Sequence, residues 1–406
     1  PENIPQQMWD AVGVHAPDAE TLIIELEFPA SYFLSMTPMW TLGAVPQWAI
    51  EAYGEKWTEQ DNIVTNGRFV LHEWSHDKSR TFLRNPLAPQ DLQGEGNIER
   101  FVVTVLPDVD AGYARWLEAK VDSTYIPETE IETHLAKFPD ETDQIAGQSV
   151  SYINFRMTKP PFDDARVRRA FSAAFDRDLY VSEVLHGYGL PMIHLAPPGI
   201  LGAPPIDEVG VGFDPEFARH QLAEAGYPEC EGLPLVTLAT YKATNTLTEF
   251  AREQWMKHLG CSSEQIQLRQ LPFSDLLTTT KGSVSDAQVP HMWTMGWAPD
   301  YADENNWVGD VLWCEIATRQ KRTCNEIDDL IIQAREESAP QRRIELYRQI
   351  EEMLFGPKGE MPIAPILVRI SQVARHAWLE RSPAPFGGDQ WYTWTIDQQA
   401  KLNAQR

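Results

Sequence analysis

The chain has 406 residues, more than one hydrophobic core commonly serves, and its 43% hydrophobic content is ample for packing, so two or three lobes are expected. A formal net charge of -25 argues against nucleic acid or an anionic membrane as partner, because both attract basic surfaces; it suits neutral or cationic ligands, or solubility alone. No apolar run is long enough to span a membrane, and the opening PENIPQQMWD lacks the basic start and apolar core of a signal peptide, so the chain reads as a mature or trimmed product.

In chain order, Thr21 to Phe28 alternates as a strand ended by Pro29, and Gln47 to Tyr53 reads as a helix stopped at Gly54. Residues 63 to 90 read as a hairpin: Phe69, Leu71 and Trp74 carry the apolar load, His76-Asp77-Lys78-Ser79 turns, and Thr81-Phe82-Leu83 returns. This hairpin contains His72-Glu73-Trp74-Ser75-His76, which matches the zinc-protease spacing H-E-x-x-H. That motif needs a helix, where i and i+4 lie within about 6 Å. On a strand, at about 3.3 Å per residue, the two imidazoles stand about 13 Å apart and cannot share a metal. The β-prone Arg68-Phe-Val-Leu71 favours the strand, so the zinc reading stands as the minor alternative.

Phe101 to Leu106 reads as a buried strand, Asp108 or Asp110 caps a helix bearing Ala111, Ala114, Trp116 and Leu117, and Lys120-Val121-Asp122 enters another strand. Residues 128 to 148 are polar and weakly patterned, a crossing toward the next lobe. From Tyr152 to Met157 the chain is again a strand, ended by Lys159-Pro160-Pro161, because proline lacks the ladder donor. Asp163 or Asp164 caps the next helix, whose Val167, Ala170, Phe171 and Ala174 recur at helical spacing while Arg166, Arg168 and Arg169 lie mostly elsewhere. A second helical run carries Tyr180, Val181, Val184 and Leu185 and stops at Gly187.

Asp214-Pro215 is an N-cap with an N1 proline, opening a helix that ends at Gly226. Strand Leu233 to Thr240, helix Asn245 to Leu259, strand Ile266 to Arg269 and a short helix from Phe273 to Leu277 imply a parallel α/β lobe. A further strand runs from His291 into Gly296-Trp297 and is broken by Pro299 and Asp300. Ligands of open α/β sheets bind at such carboxyl ends. Gly296 permits close backbone approach, Trp297 offers an apolar face and one N–H, and Asp300 offers a carboxylate among aromatics. The plainer readings are core packing for Trp297 and, for Asp300, capping of a helix from Tyr301 to Trp307.

Helices follow from Asn325, with Ile327, Leu330, Ile331 and Ala334 aligned, and from Pro340, with Ile344, Tyr347, Ile350 and Leu354 aligned. Pro362 to Val368 is a strand, residues near 372 to 378 cross back, and the tail from Gly387 to Trp394 closes the first lobe. The cysteines are Cys230, Cys261, Cys314 and Cys324, none in C-x-x-C. Local pairing of 230 with 261 and 314 with 324 suits an exported protein, and four free buried thiols are the other reading. Nothing demands catalysis: P-loop, G-x-G-x-x-G and G-x-S-x-G are all absent, and the acid pairs sit at helix starts.

The string N-F-R…PPFDDARVRRAFSAAFDR…VLHGYG, together with AVPQWAIEAYGEKWTEQDNIVTNGRFVLHEW and GW-x-x-DY-x-D, resembles solute-binding protein family 5, the extracytoplasmic oligopeptide, dipeptide and nickel receptors of ABC importers. The resemblance begins midway through the family's plan, leaving roughly the N-terminal quarter without counterpart. It implies an α/β, two-lobed, periplasmic-binding-protein-like fold of type II, hinge-closing, with mixed sheets and an incomplete first lobe. Residues 1–62 would be the remnant of a small extra domain, 63–148 with 378–406 the larger lobe, and 149–377 the second α/β lobe. The implied function is an import receptor, without cofactor or metal, that binds a peptide between its lobes and delivers it to an ABC permease. Asp300 would pair with the ligand's α-amino group, with Trp297, Gly296, Tyr301 and Trp293 around it. An oligosaccharide stacked on some of the 14 Trp is the rival ligand, and a zinc protease using His72, Glu73 and His76 the rival class. The protein is expected to be a monomer, exported to the periplasm or cell surface. Its other expected partner is the missing N-terminal segment of its own chain, where a lipoprotein anchor would sit.

Overall fold

The computed structural model describes residues 12–241, 244–316, 318–381 and 390–404. In chain order its strands are β1 (Val14–His15), β2 (Ile23–Ile24), β3 (Phe69–Ser75), β4 (Ser79–Arg84), β5 (Arg100–Thr104), β6 (Ser123–Tyr125) and β7 (Thr142–Phe155). Then come β8 (Gly189–Pro191), β9 (Val236–Thr240), β10 (Ile266–Gln270), β11 (Met292–Trp297), β12 (Ile363–Arg375), β13 (Leu379–Glu380) and β14 (Thr395–Ile396). They belong to two compact units.

The first unit takes the described residues of Pro1–Thr37, Ser149–Tyr180 and Pro191–Leu367. Its centre is a sheet in the order β10-β9-β11-β7-β12. Strand β9 pairs in parallel with β10 and with β11, as strand–helix–strand crossovers require. The expected parallel lobe is parallel on that side only, because β11 runs antiparallel to β7, with Trp293 opposite Asn154 and Gly296 opposite Ser151.

Local chemistry accounts for the helices beside this sheet. Asp164 accepts a hydrogen bond from the Arg166 N–H (2.8 Å) and opens the helix Ala165–Ala173. Asp214 accepts from Phe217 N–H (2.9 Å), Pro215 occupies the first turn, and the helix Pro215–Glu224 gives way at Gly226, whose φ is +94°. The two helices pack together, and the second packs on the helix Asn245–Leu259. Phe155, Phe162, Phe171 and Trp255 form a buried aromatic chain with ring centroids 5.2, 5.0 and 4.9 Å apart, and the Trp255 indole donates to the Phe171 carbonyl at 2.8 Å. Asp214→Ala leaves the first-turn N–H groups of its helix without the cap and is expected to cost about 1 kcal/mol in urea unfolding. A loss below a few tenths would show water serving those groups equally well.

Several expectations are corrected here. Arg168 is buried, not set aside with Arg166, because its guanidinium donates to the carbonyls of Phe162 and Glu360 (2.6 Å each). Arg177 is buried for the same reason, donating to the carbonyls of Met192 and Pro365 at 2.8 Å. The run after Asp176 is one α turn, Arg177–Leu179, followed by a wider π-helical turn, Tyr180–Val184, instead of a regular second helix. The strand expected over Thr21–Phe28 shrinks to β2, which among the described residues pairs with β1, and the stretch's Leu22, Ile23, Ile24 and Leu26 are exposed. In the helix Pro340–Phe355 the expected Tyr347, Ile350 and Leu354 are buried, together with Arg343 and Leu346, while Ile344 is exposed. Both local cysteine pairs, Cys230–Cys261 and Cys314–Cys324, are disulfides.

The second unit takes the described residues of Pro38–Gln148, Val181–Leu190 and Val368–Arg406. Strands β3, β4 and β5 form a three-stranded antiparallel sheet. His72 sits on β3 at a register shift between Leu71 and Glu73, and His76 lies in the turn, stacked on Trp74 and 3.0 Å from the Glu59 carboxylate. The histidines of His72-Glu73-Trp74-Ser75-His76 therefore lack the shared helical face that the protease reading requires. Strand β5 is an edge strand with Val102 exposed, so the expectation of a buried strand there is corrected. Residues 128–148 contain the helix Ile131–Lys137 and the start of β7. Asp108 caps the helix Val109–Leu117 by accepting from Ala111 N–H at 2.8 Å. One core gathers Tyr113, Trp116, Ile126, Ile131 and Ala374, and another Ile98, Leu379 and Trp394. Gly387 to Asp389 of the expected closing tail lie outside the described residues, and β14 beyond them pairs with β13.

Candidate functional site

Strand β11 carries the expected site residues, and its alternation sorts them. Trp293, Met295 and Trp297 point one way and Gly296 the other. Trp293 is fully buried against Ala239, Leu276 and Val289, so its place among ligand contacts is withdrawn: the strand's first half lies under the unit's own core. Gly296 is exposed, and a Cβ there would come 3.2 Å from the Val150 carbonyl oxygen. Its bareness is explained by the nearness of β7.

Trp297 is half-buried, and its indole N–H donates to Asn306 Oδ1 at 3.2 Å. Asp300 is exposed one turn beyond the strand. Its backbone N–H donates to the same Asn306 Oδ1 at 2.8 Å. Among the described residues no hydrogen bond or ion pair engages its carboxylate. Tyr301 is buried and fully occupied: its hydroxyl accepts from Asn305 Nδ2 (2.7 Å) and donates to Asp310 Oδ2 (3.2 Å), and its ring stacks on Tyr32 at 5.4 Å. Burial, helped by the Asp310 charge, pushes the Tyr301 phenol up in pKa, which keeps it a neutral donor.

The helix expected from Tyr301 begins later, as a π-helical run over Asn305–Leu312, and Asp300 does not cap it. Residues between are held otherwise. Asp303 bridges to Leu201 in parallel β fashion and receives both Nη groups of Arg343, at 2.8 and 2.7 Å. Beneath lies Glu304, fully buried, with neither carboxyl oxygen hydrogen-bonded in the described structure. Burial first, then the Glu351 and Asp303 charges, drives its pKa well above the usual carboxylate range.

The structure thus places Trp297, Gly296 and Asp300 at one exposed strand end, and puts Trp293 and Tyr301 inside. It adds Asn306 and Asp310, absent from the sequence-based set although their i, i+4 spacing on a helical run was there to find; Asn306 Nδ2 donates to Asp310 Oδ2 at 2.8 Å. A carboxylate free of internal partners, on a backbone fixed by a buried amide, can accept from a ligand's N–H or ammonium group. Among the described residues, the cluster spaced for a metal is Cys314, Cys324 and Asp328, but those sulfurs form a disulfide and Asp328 pairs with Arg322 at 2.6 Å.

The sequence model of the family described as "Bacterial extracellular solute-binding proteins, family 5 Middle" matches residues 1–312. The chain is 28% identical, over 88% of its length and 65% of the other's, to the probable deoxycholate-binding periplasmic protein YgiS of Escherichia coli. It is 26% identical to the periplasmic oligopeptide-binding protein OppA of the same organism, over 87% and 64%. It therefore spans slightly less than two thirds of the length of these relatives. Its fold matches the unliganded open form of the murein tripeptide binding protein MppA, with a TM-score of 0.79 and 22% identity, over 95% of this chain and 74% of that one.

Proposed function

Because the chain belongs to the bacterial extracellular solute-binding proteins, family 5, we propose that it is the solute-binding part of an extracytoplasmic receptor that delivers peptides to an ABC permease. The observation that carries the ligand class is the exposed Asp300 carboxylate, free of internal partners at the carboxyl end of β11. An ammonium taken out of water needs a charged acceptor, and such hydrogen bonds are stronger than neutral ones. Half-exposed Trp297 adds an apolar wall beside it. A bile acid, the ligand in YgiS's name, would bring its own carboxylate to this acid in a chain of net charge -25, so charge favours the peptide. An oligosaccharide is the weaker rival at this strand end, since Trp293 is fully buried and offers no stacking face beside Trp297.

Calorimetry with trialanine and N-acetyl-trialanine tests this reading. The native chain is expected to prefer the free amine by about tenfold or more, and Asp300→Asn to abolish that preference, leaving the acetylated probe little changed. An undiminished preference in the variant would remove Asp300 from the ligand's amino end.

A further inference from the structure

We infer that Asn306 is the positioning residue that sets Asp300 and Trp297 for ligand, a deepening that rests on the peptide reading above. Its side chain is fully buried, with both acceptor positions of Oδ1 and one Nδ2 N–H engaged. Oδ1 accepts from the Trp297 indole and from the Asp300 backbone N–H, both of which can only donate. Nδ2 donates to Asp310, whose carboxylate also accepts from the Tyr301 hydroxyl. Each of three partners independently demands the same amide orientation. Reversal would oppose donor to donor twice and oxygen to oxygen once, so the amide is locked.

The lock has a direction. Asn306 belongs to the π-helical run Asn305–Leu312, buried along most of its length, whereas Trp297 and Asp300 lie at an exposed strand end. One amide oxygen thus ties the exposed turn around Pro299 to a buried helical run. A carboxylate on an untethered turn would sample many poses, and ligand would have to offset that lost freedom. Asp310 closes the circuit from below. Its own carboxyl is raised in pKa chiefly by burial, against the hydrogen bonds it accepts from Asn306 and Tyr301.

Trialanine and N-acetyl-trialanine are the probes, used with the 406-residue chain and its Asn306→Ala, Asp300→Asn and doubly substituted forms. Asn306→Ala is expected to reduce the free-amine preference about tenfold, and adding it to Asp300→Asn to change that preference by less than about twofold, because it acts through Asp300. This ratio is insensitive to a general loss of folded protein. If Asp300→Asn leaves the preference intact, the peptide reading fails; if it collapses the preference and Asn306→Ala does not, the positioning role is overturned. Amide hydrogen exchange tests the same claim without ligand. The Asp300 N–H is expected to be protected in the native chain and to exchange faster in Asn306→Ala. An Asp300 N–H unprotected in the native chain overturns the inference. Should the alanine variant fold poorly, Asn306→Ser carries both measurements, with the same outcomes deciding.

Discussion

Arg343→Met is expected to lower the free energy of unfolding by about 3–5 kcal/mol, a change that urea titration would record as a large fall in midpoint. Methionine keeps much of the side-chain bulk, so the loss reports the guanidinium's charge and hydrogen bonds and not a cavity. Both Nη groups of Arg343 meet Asp303, Nε donates to the Ala334 carbonyl at 3.0 Å, and Nη2 also reaches the Tyr347 hydroxyl at 2.8 Å. Asp303 and Arg343 are each about 2% exposed at the side chain. Taking the cation away strands a carboxylate where water does not reach, and that is far costlier than removing an exposed pair. Asp303→Asn combined with Arg343→Met should recover part of the loss, because the orphaned charge goes with it. A single-variant loss below about 1 kcal/mol would mean that water replaces the guanidinium, and the site would then be wetter than its burial implies. The effect also bears on ligand. Asp303 lies three residues past Asp300 and its bridge to Leu201 fixes that stretch, so weaker free-amine preference is expected alongside the lost stability.

Capped, amphipathic helices were the most legible feature of the chain. Asp164, Asp214 and Asn325 each accept from a first-turn N–H as their sequence contexts anticipate, and Gly226 and Gly260 close helices with positive φ. Such signals are local: a short polar side chain and its nearest amides are neighbours in sequence. Buried arginines were illegible for the opposite reason. Arg168 and Arg177 find carbonyls about 190 residues away, at Glu360 and Pro365, and no local pattern separates them from solvated Arg166. The same limit governed the site. That Trp297 and Asp300 lie at the end of a strand is readable, because a proline after a strand marks its end. Trp293 is hard to place from sequence because an aromatic three positions before the glycine looks alike whether it faces ligand or core. Asn306 is marked in sequence only by its i, i+4 spacing to Asp310, because an asparagine's role is set by partners that local sequence does not name. The helix start at Tyr301 was misplaced because a distant guanidinium holds Asp303 in bridge geometry.

Glu304→Gln is expected to stabilise the protein as pH rises, and the sign follows from where the proton resides. Three acids lie in one buried neighbourhood. Asp303 pairs with Arg343, and Glu351 accepts from the N–H groups of Leu195 (3.2 Å) and Ala196 (2.8 Å). Glu304 has no such support, and Gly202 packs so closely that a Cβ there would lie 2.8 Å from its Oε2. It keeps its proton in the folded state, with a pKa raised well above 4.5. Unfolding releases that proton at any pH between the unfolded and folded values, so this group's contribution is full below about 4.5 and declines as pH increases. The decline is about 1.4 kcal/mol per pH unit until the folded-state value is passed. Glutamine has the same shape and never ionises, so the difference between variant and native chain should be near zero or slightly negative at pH about 4 and grow in the variant's favour toward pH about 8. Unfolding curves at a series of pH values measure it, and titrating groups remote from Glu304 cancel in the comparison. Parallel stability profiles would mean that Glu304 is ionised in the folded protein and that some partner, not burial alone, sets its charge.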